Sequence, residues 1–325
     1  MRSASSSAVL CGTVLLAVAS FSGRASPKPK KGDGKGIGAI EVRVAKLQKS
    51  KDARADFDDL STWLGSSSGC GDACDELASF KWASANLDDD PEEEKILAVT
   101  MRGAGACAPA TVHVLALDPA GGGEYALVGH EQLELRGVDG PDLSFAAVHQ
   151  FGRKDLVVSA SGKCASERLL RVYTMERGRL EELAASDEAV GRSLTAHAFV
   201  GGPPAAIELT TPKGVVKLAY DPEYGYGNLP SYAQIKKDVV SASDDNALSS
   251  KECTAPLGTQ LALDCGLSGS AKIEVMVQHG KAIGLTVTST PVSRAFGRCV
   301  RKKLASASWK SLAAPSGCTR TFAIK

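Results

Sequence analysis

The sequence predicts a mainly β protein, with repeat-built sheets forming a sandwich or partial propeller and a C-terminal α+β module of order β-β-α-β. Three observations predict it. Between residues 95 and 220, eleven short apolar runs alternate with glycine-rich turns, the texture of strands and hairpins. These runs recur in matched pairs starting at Lys95, Lys154 and Pro204, spacings of 59 and 50 residues, the length of one four-stranded unit. Residues 270–325 switch from alternating to helical periodicity and back.

Taken in order, residues 1–25 read as a cleavable secretory signal. Arg2 precedes a Ser/Ala run and the apolar stretch Ala8–Ala19, and both Ala17-Val18-Ala19 and Gly23-Arg24-Ala25 fit the small-x-small cleavage pattern. That stretch is too short to span a bilayer, and no later segment has the unbroken apolar length to do so. Residues 26–38 read as a Pro/Lys/Gly linker; Gly34, Gly36 and Gly38 have no preceding strand to make them a phosphate loop. Residues 39–94 form an acidic, helical segment with Ile40, Val44, Leu47, Phe57, Leu60 and Leu64 as buried positions, and a short helix over 75–85. Residues 95–226 are the β-repeat domain and 227–265 a linker region, with 234–245 helical and 241–250 polar. Residues 266–325 are the C-terminal domain.

The chain has nine cysteines, and removing Cys11 with the signal leaves eight. An even number in an exported chain favours disulfides. Proximity and the repeat favour Cys70–Cys74, Cys107–Cys164, Cys253–Cys265 and Cys299–Cys318 among the roughly 105 possible connectivities. Cys70-Gly-Asp-Ala-Cys74 reads as a staple because it lacks the C-x-x-C spacing and a nearby histidine. The reading places the protein in the periplasm or outside the cell.

Charge is segregated although the chain carries a net charge of only +1. Residues 26–51 carry +6, residues 52–94 carry −11 and residues 266–325 carry +9. Such asymmetry steers anionic partners to the ends or docks the ends on the acidic segment.

No motif for catalysis stands out. The five histidines form neither His-x-x-x-His nor His-x-x-Glu-His, and His113, His149 and His197 fall in predicted strands. There is no Gly-x-Ser-x-Gly elbow. The acidic turn Asp88–Glu94 lacks the alternating Asp/Asn and closing Gly and Glu of a calcium loop. The expectation is no catalytic residue, no cofactor and no metal site. A hydrolase in the β-repeat domain, using carboxylates that converge in space, is the weakest of the three functional readings.

Two resemblances refine this reading. Gly152-Arg-Lys-Asp155-Leu-Val-Val is similar to the strand motif of FG-GAP-like propeller blades, although the Asp-rich calcium loop of that family is missing and three modules are too few to close a usual propeller. In the C-terminal domain, Ala271–Gln278 alternates as a strand, His279-Gly280-Lys281 turns, and Ala282–Thr290 forms a second strand. Pro291 opens a helix with an apolar stripe of Val292, Ala295, Phe296, Cys299, Val300 and Leu304, and Cys318–Ile324 is a final strand. This domain resembles the TonB C-terminal domain, most closely the cysteine-bearing variant in gliding-motility-associated proteins of the AgmX/PglI type. The match rests on Gly280, Thr288-Ser-Thr, Arg298-Cys299-Val300, Trp309 and Phe322.

The resemblance implies a protein-binding or scaffold role by strand addition. Energy transduction is not implied, because the expected cleavable signal would leave no anchor and the Pro/Lys stretch is only a few residues long. The expected partner is an envelope protein or, alternatively, an anionic envelope polymer such as lipopolysaccharide or polysaccharide; nucleic acid is not expected. The binding residues are Arg294, Arg298, Arg301, Lys302, Lys303 and Trp309.

Overall fold

A computed structural model describes residues 35–66, 75–105, 107–138, 140–164, 167–222, 225–229, 232, 235–236 and 248–324. The expected signal, most of the 26–38 linker, the Cys70–Cys74 pair and nearly all of 234–245 lie outside these residues. The fold is mainly β, in antiparallel sheets, with no barrel.

Two helices lead. Helix α1 (Ile37–Gln48) buries Ile40, Val44 and Leu47, and α2 (Ala53–Leu64) buries Phe57, Leu60 and Leu64. Asp52 caps α2 by accepting from the Ala55 amide, and Gly65 ends it in the left-handed region at φ 93°. Arg43 pairs with Asp59 and Lys46 with Asp56, so two cations of the basic N-terminal stretch do dock on the acidic segment. Both pairs have at least one exposed partner and add little stability.

Three meander sheets follow. Sheet I contains β2 (Glu76–Ala85), β3 (Glu94–Arg102), β4 (Pro109–Gly121) and β5 (Glu124–Arg136), with β1 (Lys35–Gly36) added beside β5. Sheet II is β6 (Asp142–Ala146), β7 (Asp155–Ser161), β8 (Arg168–Glu176) and β9 (Arg179–Ala185). Sheet III is β10 (Ala196–Val200), β11 (Ala206–Thr211), β12 (Gly214–Asp221) and β13 (Gly225–Gly227), and the short α3 (Ser186–Val190) links II to III. The repeated pairs of the sequence are the second and third strands of the three sheets.

The layers stack through three cores. Leu97, Val99, Met101, Leu115 and Leu117 of sheet I meet the two helices. The opposite face, with Ile96, Val112, Val114 and Leu133, meets Leu156, Val158, Tyr173 and Met175 of sheet II. Val157, Leu170, Val172 and Leu183 of sheet II then meet Ile207, Leu209 and Leu218 of sheet III. Sheet I is therefore covered on both faces, which is why β3 and β4 read as almost unbroken apolar runs.

The helix expected over 75–85 is instead strand β2. Its register slips between Leu77 and Ser79, which sets Leu77 on the same side as Phe80 and Trp82, against the helices. His149 lies beyond the end of β6, in a turn rather than a strand.

In the C-terminal module, β14 (Gly269–Gln278) lies between β15 (Lys281–Thr290) and β16 (Ser316–Ile324), and α6 (Arg294–Ser306) precedes β16. His279 and Gly280 both have positive φ, 49° and 74°, the tight hairpin turn that the sequence predicts. Helix α6 begins at Arg294, capped by Ser293, and buries Phe296, Val300 and Leu304. Val292 precedes it and is exposed, and Ala295 is also exposed, so neither belongs to the stripe. Residues 248–265 are no linker: α4 (Ser250–Thr254) and α5 (Thr259–Asp264) bring Cys253, Leu257, Leu261 and Ala262 into this module's core.

That change moves the disulfides. Cys107 joins Cys164 across the corresponding turns of sheets I and II. In the module, Cys253 joins Cys318 and Cys265 joins Cys299, in place of the expected Cys253–Cys265 and Cys299–Cys318. Both bonds tie the α4–α5 segment to the rest of the module. Peptide mapping without reduction is expected to recover these two crossed linkages; a 253–265 or 299–318 peptide would contradict the packing of α4 and α5.

Candidate functional site

The expected binding surface, the basic face of α6, is an internal interface. Arg294 makes two bonds to Glu176, at 2.6 and 2.8 Å, and lies 3.4 Å from Glu181. Arg298 lies 3.3 Å from Glu182 and also donates to the Glu182 carbonyl. Arg171 approaches the other oxygen of Glu182 at 2.9 Å and also binds Asp187. Glu131 of β5 lines the same cleft. The β8–β9 hairpin thus presents acid to the arginines of α6.

Electrostatics follow from this burial. Desolvation raises the pKa values of Glu131 and Glu182, and the opposing pull of Arg298 and Arg171 only partly restores them. For Arg294 desolvation lowers the pKa, but the Glu176 hydrogen bond together with the charges of Glu176, Tyr220 and Glu181 more than offsets it, and the guanidinium holds its proton more tightly than usual.

The remaining expected residues divide. Arg301 is buried and donates to the Leu229 carbonyl at 3.2 Å. It packs on Gly227 so closely that a Cβ there would fall 1.7 Å from the guanidinium carbon. Lys303 pairs with Asp264 at 2.5 Å. Lys302 is exposed at a cleft shared with Glu188, Tyr226 and Asn228. Trp309 is only 8% exposed, in the module core, with its backbone amide donating to the Gly280 carbonyl. It cannot act as a surface aromatic. The basic patch read from the sequence is therefore largely neutralised within the chain. Its partner is not the acidic stretch 52–94 but Glu176–Glu182, a run whose interspersed arginines hide its carboxylates.

Two histidine arrangements lie elsewhere. Asp155, fully buried, accepts the amides of Val148 and His149 through Oδ2 and binds His149 Nδ1 at 2.7 Å through Oδ1. Every one of these contacts fixes the turn before β7, so Asp155 is structural. The second is a chain. The Ser66 hydroxyl lies 2.5 Å from His130 Nδ1, and His130 Nε2 lies 3.1 Å from His113 Nδ1. His113 closes the chain in the helix–sheet core, its ring 4.4 Å from that of Phe57. Burial lowers the pKa of His113 to about 3, aided by His130, and that of His130 to about 4, so both rings are neutral near pH 7.

Acid also gathers at the β2–β3 turn. Burial raises the pKa of Glu94 to about 7, and burial with Asp88, Asp90 and Glu92 nearby raises that of Asp118 to about 6.

No protein-family model, curated protein or solved structure matches the chain. No helix among the described residues is long and apolar enough to cross a membrane. Three disulfides are compatible with an extracytoplasmic location.

Proposed function

We propose that the protein is a non-enzymatic envelope protein that holds its C-terminal module against the β-repeat stack and offers the edge strand β15 to an extended segment of a partner protein. One observation carries the reading. The arginines of α6 are engaged inside the chain, while β15, one of the two outer strands of its sheet with β16, pairs only with β14 among the described residues. A strand with one unpaired side carries a row of backbone donors and acceptors that a second chain can complete. Lys281, Thr288 and Thr290 along it are exposed. The resemblance to the TonB C-terminal domain points the same way.

Polyanion binding by the basic C-terminus is less well supported, because Arg294, Arg298, Arg301 and Lys303 already face acidic groups or carbonyls of the chain. A photocrosslinker placed at Thr288 in the producing cell is expected to capture one protein, and raised salt should leave the yield nearly unchanged. Capture from Lys302 with none from Thr288, or capture that collapses in salt, would overturn the reading in favour of an electrostatic ligand.

A further inference from the structure

The turn between β2 and β3 gathers carboxylates from two places in the chain. One carboxylate oxygen each from Asp88, Asp90 and Glu94 lies within 4.8 Å of the others. Asp118 approaches this trio from β4: it stands one residue past Leu117, whose partner across the ladder, Lys95, follows Glu94, and its charge acts on Glu94 while those of Asp88 and Asp90 act on it. The turn is held in shape by its own acids, since Asp88 Oδ1 accepts the Asp90 amide and Asp90 Oδ1 accepts the Glu92 amide.

The buried end of the cluster is what needs a ligand. Glu94 is fully buried; its Oε2 accepts the Leu87 amide at 2.6 Å, and its Oε1 has no hydrogen-bond partner. Asp118 Oδ1 is likewise buried without a partner. Orphaned carboxylate oxygens are costly in a protein interior. The nearby cations turn to other groups. Arg153 donates to the Leu87 carbonyl and approaches Asp89, and Lys95 approaches Glu93 and Ser84. Among the described residues none of Asp88, Asp90, Glu94 and Asp118 is paired with a lysine or arginine. Three acids thus converge with a fourth beside them, and the nearest guanidinium, Arg153, is engaged by Asp89 and the Leu87 carbonyl.

We propose that Asp88, Asp90, Glu94 and Asp118 bind a divalent cation, calcium. The donor set is all oxygen and anionic, which suits a hard cation and gives softer metals no nitrogen or sulfur. Calcium takes oxygens at roughly 2.3–2.6 Å, so ligands on its opposite sides stand about 5 Å apart, and the oxygens of Asp88, Asp90 and Glu94 lie within 4.8 Å of one another. Magnesium draws its ligands closer, to about 2.1 Å, and keeps more of its water. The linear pattern Asp88–Glu94 shows no calcium motif because Asp118 comes from a distant strand. The ion would pin the β2–β3 turn to β4.

The test uses the full chain, stripped with chelator and titrated with calcium chloride by calorimetry and by thermal unfolding, with magnesium chloride in parallel. One saturable equivalent of calcium and a rise in Tm are expected at or below about millimolar calcium, with magnesium weaker. Asp90→Asn keeps the Oδ1 acceptor of an exposed residue, so the turn should survive while calcium affinity falls on the order of tenfold or more. Asp118→Asn should raise Tm in chelator, by relieving repulsion, and lose the calcium-dependent rise. That inversion of sign separates a cation site from a merely structural acid. Absence of saturable calcium binding by the wild-type chain, or wild-type affinity in both variants, would overturn the proposal.

Discussion

Replacing Arg294 and Arg298 together with glutamate is expected to free the C-terminal module from the β-repeat stack. The side chains are 10% and 21% exposed, and their partners Glu176, Glu181 and Glu182 are at most 37% exposed. The double variant would set two new carboxylates against these three and against Glu131. Breaking a buried pair on one side costs about 3–5 kcal/mol, because the remaining charge stays desolvated and unmatched. Part of this interface is reached by water, so about 3 kcal/mol is the expected loss in docking. The three cores of the stack and the disulfide-bonded core of the module do not depend on these arginines, and both parts should remain folded. One cooperative thermal transition should become two. A single transition at the wild-type temperature would show that α6 is not what fastens the module.

Acid should weaken the β-repeat stack through His113 and His130. An unfolded histidine takes up a proton near pH 6.5, whereas folded His113 resists until about 3 and His130 until about 4. Between pH 6.5 and 4 the unfolded state therefore binds more protons, and stability falls as pH falls. Each unit of that interval is worth about 1.4 kcal/mol for a group fully neutral in the fold, so His113 alone accounts for about 3 kcal/mol at pH 4. Glu94 and Asp118 act in the opposite sense, since their raised pKa values favour the fold at low pH. Comparison of His113→Leu with wild type isolates the histidine. Urea unfolding at intervals from pH 7 to 4 should give a flatter profile for the variant, and parallel profiles would contradict the account.

What the sequence reveals depends on how local each signal is. The core positions of α1 and α2 follow from 3.6-residue periodicity: all six expected residues are buried, and Ala53 and Ser61 are buried beside them. The repeats are legible because β3, β7 and β11 are apolar runs each leading through a turn to a similar run. Cys107–Cys164 follows from that repeat. Strand β2 escapes notice because its register slip breaks the alternation, and its serines and alanines mimic an amphipathic helix. Helices α4 and α5 are five and six residues long, too short to show a period. Missing them reads the cysteines as sequence neighbours and yields the wrong pairs. The fate of the arginines is hidden for another reason. Charge counting shows that α6 is basic, but only the fold shows that Glu176, Glu181 and Glu182 face it. The link between Asp118 and the β2–β3 turn is equally non-local, resting on the register of β3 with β4.

The claim that α6 is an internal clasp, leaving the sheet edge as the binding element, is tested most directly by a charge-swap cycle on Arg294 and Glu176. Arg294→Glu and Glu176→Arg should each weaken docking, and the double variant should recover much of the loss, with a coupling energy of roughly 1–3 kcal/mol in domain docking. Additive losses without coupling would contradict the account and return the basic face of α6 to the pool of free binding surfaces.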